Sequence, residues 1–272
     1  MKILFPILCV GLLLSFTVEK PNIRKDFKDK FSKVKPDLFV CKYEVSNLEY
    51  RGFLDALLNS KQLELYKKSL PDSLAWVENN DLGRPLAIHY FRHQAYNNYP
   101  VVGITYENAL DYCQWLTTNY NRSEKRPFKK VVFQLLTKAD WMFAASAGDS
   151  TRTFPWGSGF IQNNRKQDLC NYRHAKMEYD SSSKKYVELE TLQSEIMSKE
   201  GKFTSTVNGY FPNTFGLFNM SGNVAEIIEE RGVAKGGSYN DLPFQVMIKS
   251  ERNYAKTSAD IGFRVAMKII EK

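Results

Sequence analysis

Apolar and polar positions change their spacing three times in the first half of the chain. Leu38-Phe39-Val40-Cys41-Lys42-Tyr43-Glu44-Val45 is an apolar-rich run that predicts a strand. Ser46 and Glu49 then form the S-x-x-E signature of a capped helix start, and Tyr50, Phe53, Leu54 and Leu57 follow at helical spacing. Tyr99-Pro100-Val101-Val102-Gly103-Ile104 reads as extended. After it, Thr105 caps a second helix whose buried face is Ala109, Tyr112, Cys113 and Leu116. Thr137 starts a third helix carrying Trp141, Ala144 and Ala145. Beyond Gly148 the periodicity mostly vanishes, and Gly, Asn, Pro and Ser punctuate short apolar runs. The pattern predicts one α+β domain with much irregular backbone. There is no strand–GxGxxG–helix and no P-loop, so the doubly wound nucleotide-binding folds are excluded.

Two stretches fall outside that pattern. Residues 172–203 read as a surface insertion, with a polar turn at Asp180-Ser181-Ser182-Ser183 and an exposed helix over 188–199. Residues 1–18 carry one Lys followed by an apolar run too short for a comfortable span of about 20 residues. That predicts a signal peptide or membrane anchor and export to the periplasm or cell envelope, with membrane association as one outcome. Cys9 lacks the small preceding residue of a lipobox. A basic linker over 19–37 and the main domain over 38–271 complete the division of the chain.

Composition narrows the function. The chain has 272 residues, a net charge of +8 and four Cys. Its excess Lys and Arg gather in two local clusters, at 20–35 and 122–130, within a mixed-charge sequence, so no nucleic-acid partner is expected. Without residues 1–18 three Cys remain; Cys41 and Cys170 are a candidate pair, and Cys113 reads as a small buried hydrophobe. His89 and His93, at i and i+4, have no third ligand in the sequence.

An ordered series of short motifs resembles the formylglycine-generating enzyme (sulfatase-modifying factor) family, whose fold is related to C-type lectins. The series runs from Phe39–Asn47 through Tyr99–Ala109, Phe133–Trp141, Pro155-Trp156-Gly157, Asn213–Glu226 and Gly236-Gly237-Ser238-Tyr239 to Ile261-Gly262-Phe263-Arg264. The resemblance implies a structural Ca²⁺ held by Asn219, Gly222, Val224 and the carboxylate of Glu226; the competing reading is that Glu226 caps a local turn or pairs with an Arg such as Arg264. Trp141, Trp156, Tyr239 and Phe263 are expected in the core. Arg252 and Arg264 are expected as buried guanidiniums donating to several backbone carbonyls.

The departures from the family pattern bear on activity. Sulfatase-activating members use a Cys pair shortly after Gly-Gly-Ser to bind copper, for which soft thiolates are suited. Here that stretch reads Asn240-Asp241-Leu242-Pro243-Phe244-Gln245-Val246-Met247. Neither copper nor iron is expected, and no small-molecule substrate is identified. Pro71–Val77 and Tyr90–Pro100 resemble segments of the gliding-motility and type IX secretion lipoproteins of Bacteroidetes-type bacteria. The resemblance implies a non-catalytic envelope protein acting on protein partners. The alternatives are an oxygen-dependent metalloenzyme with atypical ligands and a lectin-like binding module.

Overall fold

The computed structural model describes residues 29–77, 83–124, 126–174, 177–188 and 203–272. One four-stranded antiparallel sheet organises the first half. Its strands are β1 (Phe31–Lys33), β2 (Leu38–Cys41), β3 (Lys130–Gln134) and β10 (Ala266–Glu271), in the order β1-β2-β10-β3. The last strand of the chain thus lies between two early ones, with Met267 opposite both Phe39 and Phe133. Alternation along β2 sends Leu38 and Val40 to one face and Phe39 to the other.

The Phe39 face packs on α1 (Asn47–Asn59) and α4 (Tyr106–Arg122). Both helices begin as their sequences predict. Ser46 accepts from the Glu49 amide while Glu49 reaches back to the Ser46 amide; Thr105 and Asn108 repeat the arrangement. Between α1 and α4 lie two shorter helices, α2 (Leu63–Lys68) and α3 (Gly83–His89). Tyr50, Phe53, Leu54 and Leu57 are all buried, with Tyr50 stacked on Tyr112. The opposite face of the sheet packs on α5 (Lys138–Ala145), through Trp141, Ala144 and Ala145, and on Leu217 and Met220 from the irregular half.

That irregular half is held by a second four-stranded sheet, ordered β8-β7-β6-β9. Its strands are β6 (Ala225–Ile227), β7 (Val233–Lys235), β8 (Glu251–Asn253) and β9 (Ile261–Phe263). β6 and β9 run parallel, with Glu226 opposite Gly262. A hairpin of β4 (Met177–Asp180) and β5 (Lys185–Glu188) carries the expected polar turn. The helix expected over 188–199 and the segment 1–18 lie outside the described residues, apart from Glu188, which ends β5.

Three expectations need correction. Phe31–Lys33, inside the stretch read as linker, pairs with β2 as the edge strand of the first sheet. Cys41 and Cys170 do not pair; both are buried free thiols in separate surroundings. Trp156 is only half-buried, whereas Trp141, Tyr239 and Phe263 are core residues.

A buried carboxylate cage and the vacant thiolate position

The loop before β6 gives the irregular half its chemistry. Asn219, Gly222 and Asn223 all have positive φ, of 53°, 74° and 65°. Asn and Gly are the residues that accept this conformation most readily. At Gly222 no other side chain fits, since a Cβ there would lie 2.2 Å from the Asn171 carbonyl oxygen. The turn points both asparagines at Glu44, just beyond β2: Asn223 Nδ2 donates to one carboxylate oxygen at 2.8 Å and Asn219 Nδ2 to the other at 3.1 Å. Asn219 Nδ2 also lies 3.1 Å from the Val207 carbonyl, while Asn219 Oδ1 is buried with no hydrogen-bond partner.

Glu226 sits in the same cage. The parallel pairing of β6 and β9 brings Arg264 beside it. Nε and one terminal nitrogen of Arg264 donate to Glu226 Oε1 at 3.0 and 2.7 Å, and Trp141 Nε1 donates to Oε2 at 2.7 Å. Arg264 also donates to the carbonyls of Cys41 and Phe218, which ties both halves of the domain to one guanidinium. Two carboxylates therefore share one cation. Burial pushes Glu44 up to about 7; Arg264 opposes this and the nearby Glu226 charge adds to it.

Of the residues predicted to hold calcium, Asn219 and Glu226 thus line one cage. The Gly222 amide donates to the Gly236 carbonyl, and the Val224 side chain belongs to the core beside Trp76 and Tyr90. The competing reading of Glu226, a pair with Arg264, is present in the geometry. Sequence reasoning passed over Glu44. It lies in the quoted Tyr-Glu-Val-Ser-Asn motif, but local pattern assigned it only to the end of a strand.

The stretch after Gly-Gly-Ser is also closed. The Ser238 hydroxyl lies 2.8 Å from Asp241 and 3.0 Å from Asp260, and Arg252 grips Asp260 with two bonds of 2.9 Å. Burial raises the Asp260 pKa, but Arg252 and the hydroxyls of Ser258 and Ser238 outweigh it and hold the carboxyl below its usual range. Arg252 therefore serves carboxylates, not the backbone carbonyls expected of it. His89 and His93 are both exposed, and His93 Nδ1 accepts from the Ala95 amide as a local cap. All three described thiols are buried. Burial pushes Cys41 up to about 11, and Cys113 and Cys170 higher still. None is poised as a thiolate.

The profile of the sulfatase-modifying factor enzyme 1-like domain matches residues 17–269. The chain belongs to this family. It is 22% identical over 303 aligned residues to the formylglycine-generating enzyme of Mus musculus, covering 91% of this chain and 71% of the mouse protein. It is 26% identical to that of Streptomyces coelicolor, covering 62% of this chain and 52% of the relative. Among solved structures, PvdO from Pseudomonas aeruginosa superposes with a TM-score of 0.54 at 20% identity, over 85% of this chain and 80% of that one. Treponema denticola variable protein 1 does so with 0.51 at 16%, over 85% and 84%. These two likenesses concern the fold. The family match begins ahead of the described residues and takes in β1, so the sulfatase-modifying-factor domain extends further toward the N-terminus than residue 38.

Proposed function

We propose that this sulfatase-modifying-factor domain is non-catalytic and acts at the cell envelope by protein interaction, with a gliding-motility or type IX secretion complex as its setting. The observation that carries the reading is chemical. The stretch 240–247 offers no thiolate, no Cys follows Cys170, and the three described Cys are buried and protonated. Copper-dependent oxidation of a peptide Cys needs soft thiolate ligands, and the stretch from Asn240 to Met247 that follows Gly-Gly-Ser holds none. Support for interaction comes from the segment around Pro71–Val77: Leu74 is 68% exposed there and Ile88, shortly before Tyr90, is 65% exposed. Support for the envelope is the charged-then-apolar pattern of residues 1–18.

The same reading includes a structural Ca²⁺ at the cage. A buried acceptor without a donor, Asn219 Oδ1, and two carboxylates against one guanidinium are what a hard cation would satisfy. Asn219 and Glu226 would hold the ion, with backbone oxygens of Gly222 and Val224, and it would supply charge compensation there.

Affinity purification from the native envelope, done with wild type and Leu74→Glu side by side, tests the interaction. A defined set of envelope proteins recovered with wild type and lost with the variant is expected. Aldehyde formation on a sulfatase-type Cys peptide by the purified protein, with copper and oxygen, overturns the non-catalytic reading.

A further inference from the structure

One cavity that none of this chemistry uses is a slot between α4 and the first sheet, with a volume of about 390 Å³. That is within the size range of small-molecule sites. One wall is a single stripe of α4 that runs from Tyr112 through Trp115 and Leu116 to Tyr120. The other wall is Phe31 and Phe133 of the sheet, with the neutral Cys41 thiol between strands. The stripe from Tyr112 to Tyr120 runs about 12 Å along the helix, a length that suits an extended alkyl chain.

Three of the polar side chains at the slot, Lys30, Glu49 and Tyr120, are already committed. Lys30 and Glu49 form an ion pair of 2.9 Å, and the second Glu49 oxygen accepts from the Ser46 amide and hydroxyl that start α1. The Tyr120 hydroxyl accepts from the Phe128 amide at 3.1 Å. Water in such a space finds few partners, while an apolar chain gains from leaving solvent. A charged head group at the mouth meets a lysine whose charge Glu49 already balances.

We propose that this slot binds the single aliphatic chain of a neutral or zwitterionic amphiphile, tail inside and head in solvent beside Lys30 and Glu49. This does not rest on the non-catalytic reading or on the proposed calcium: of the slot's walls only Cys41 is shared, and its thiol serves here as apolar surface while its carbonyl faces Arg264.

Trp115 gives the test its readout. The full chain is titrated with dibromoundecyl maltoside below its micelle concentration, because bromine quenches indole emission on contact. Saturable quenching is expected, lost in Trp115→Phe and shifted at least tenfold to higher concentration in Leu116→Phe, which narrows the slot. Melting curves check that both variants are folded; should Leu116→Phe fail, the Trp115→Phe comparison decides alone. Dodecanoate should compete no better than the neutral-headed chain. Quenching that does not saturate, that survives Trp115→Phe, or that is seen only with the anionic chain overturns the proposal. So does an absence of binding because another part of the protein already fills the slot.

Discussion

Glu226 and Arg264 are each 1% exposed at the side chain, and two nitrogens of the arginine converge on one oxygen of the glutamate. Burying such a pair is costly, and the geometry offsets that cost only while both members are present. Glu226→Gln leaves a buried guanidinium without its counter-charge. Arg264→Met leaves two carboxylates with none, and also frees the carbonyls of Cys41 and Phe218. Each single change is expected to destabilise by about 3–5 kcal/mol. The double change should cost clearly less than the sum, because the two residues are in direct contact. Urea denaturation of the four proteins measures the coupling; strict additivity would mean that the pair does not act as a unit.

Glu44 sets a pH dependence of definite sign. Its folded-state pKa is raised from 4.5 to about 7, so the folded protein holds a proton that the unfolded chain has lost. The stability this contributes is complete below about pH 4.5 and disappears as pH rises through about 7. The full effect is on the order of 3 kcal/mol. Melting temperature in chelator should fall from pH 5 to pH 8, and Glu44→Gln should flatten the slope. A wild-type curve already flat across this window would show that Glu44 is ionised throughout.

Lys235 titrates in a different window. It is fully buried in β7, donates to the Ser250 carbonyl and lies 5.5 Å from the centre of the Trp141 ring. Burial lowers its pKa to about 8, against the pull of Glu251. Its contribution to stability is therefore present above about pH 10.5 and lost as pH falls through about 8. Stability should rise between pH 8 and pH 10, and Lys235→Met should abolish that rise. A slope unchanged in the variant would assign it to another group.

Where the chain's information is local, the sequence was legible. Caps and apolar spacing placed α1, α4 and α5, because Ser46–Glu49, Thr105–Asn108 and Thr137–Asp140 each close within three residues. Phe31–Lys33 was not legible: its three residues form a strand only against β2, and nothing in their own pattern says so. Glu44 was missed for a stronger reason. Its partners Asn219 and Asn223 lie 175 and 179 residues further along. Nothing local announces Asp260 to Arg252; the chain brings the two together through the turn between β8 and β9. The ordered motifs carried the family, and with it the fold of this irregular half, which periodicity could not supply.

The calcium proposed for the cage is testable without any assay of function. A cation there would bind the folded state alone and stabilise it by mass action, about 2.7 kcal/mol at a hundred times the dissociation constant. Glu226→Gln is a poor probe by itself, because it breaks the pair with Arg264 whether or not an ion is present. Asn219→Ala is better, since it removes the unpartnered Oδ1 while leaving both carboxylates and the guanidinium in place. Wild type should melt higher in millimolar Ca²⁺ than in chelator, and Asn219→Ala should not respond. The response should also grow from pH 5.5 to pH 8, because below about 7 a proton on Glu44 already neutralises the surplus charge that the ion would balance. Equal melting temperatures of the wild type in Ca²⁺ and in chelator at pH 8, with no calcium in the purified protein, would leave Arg264 as the only cation of the cage.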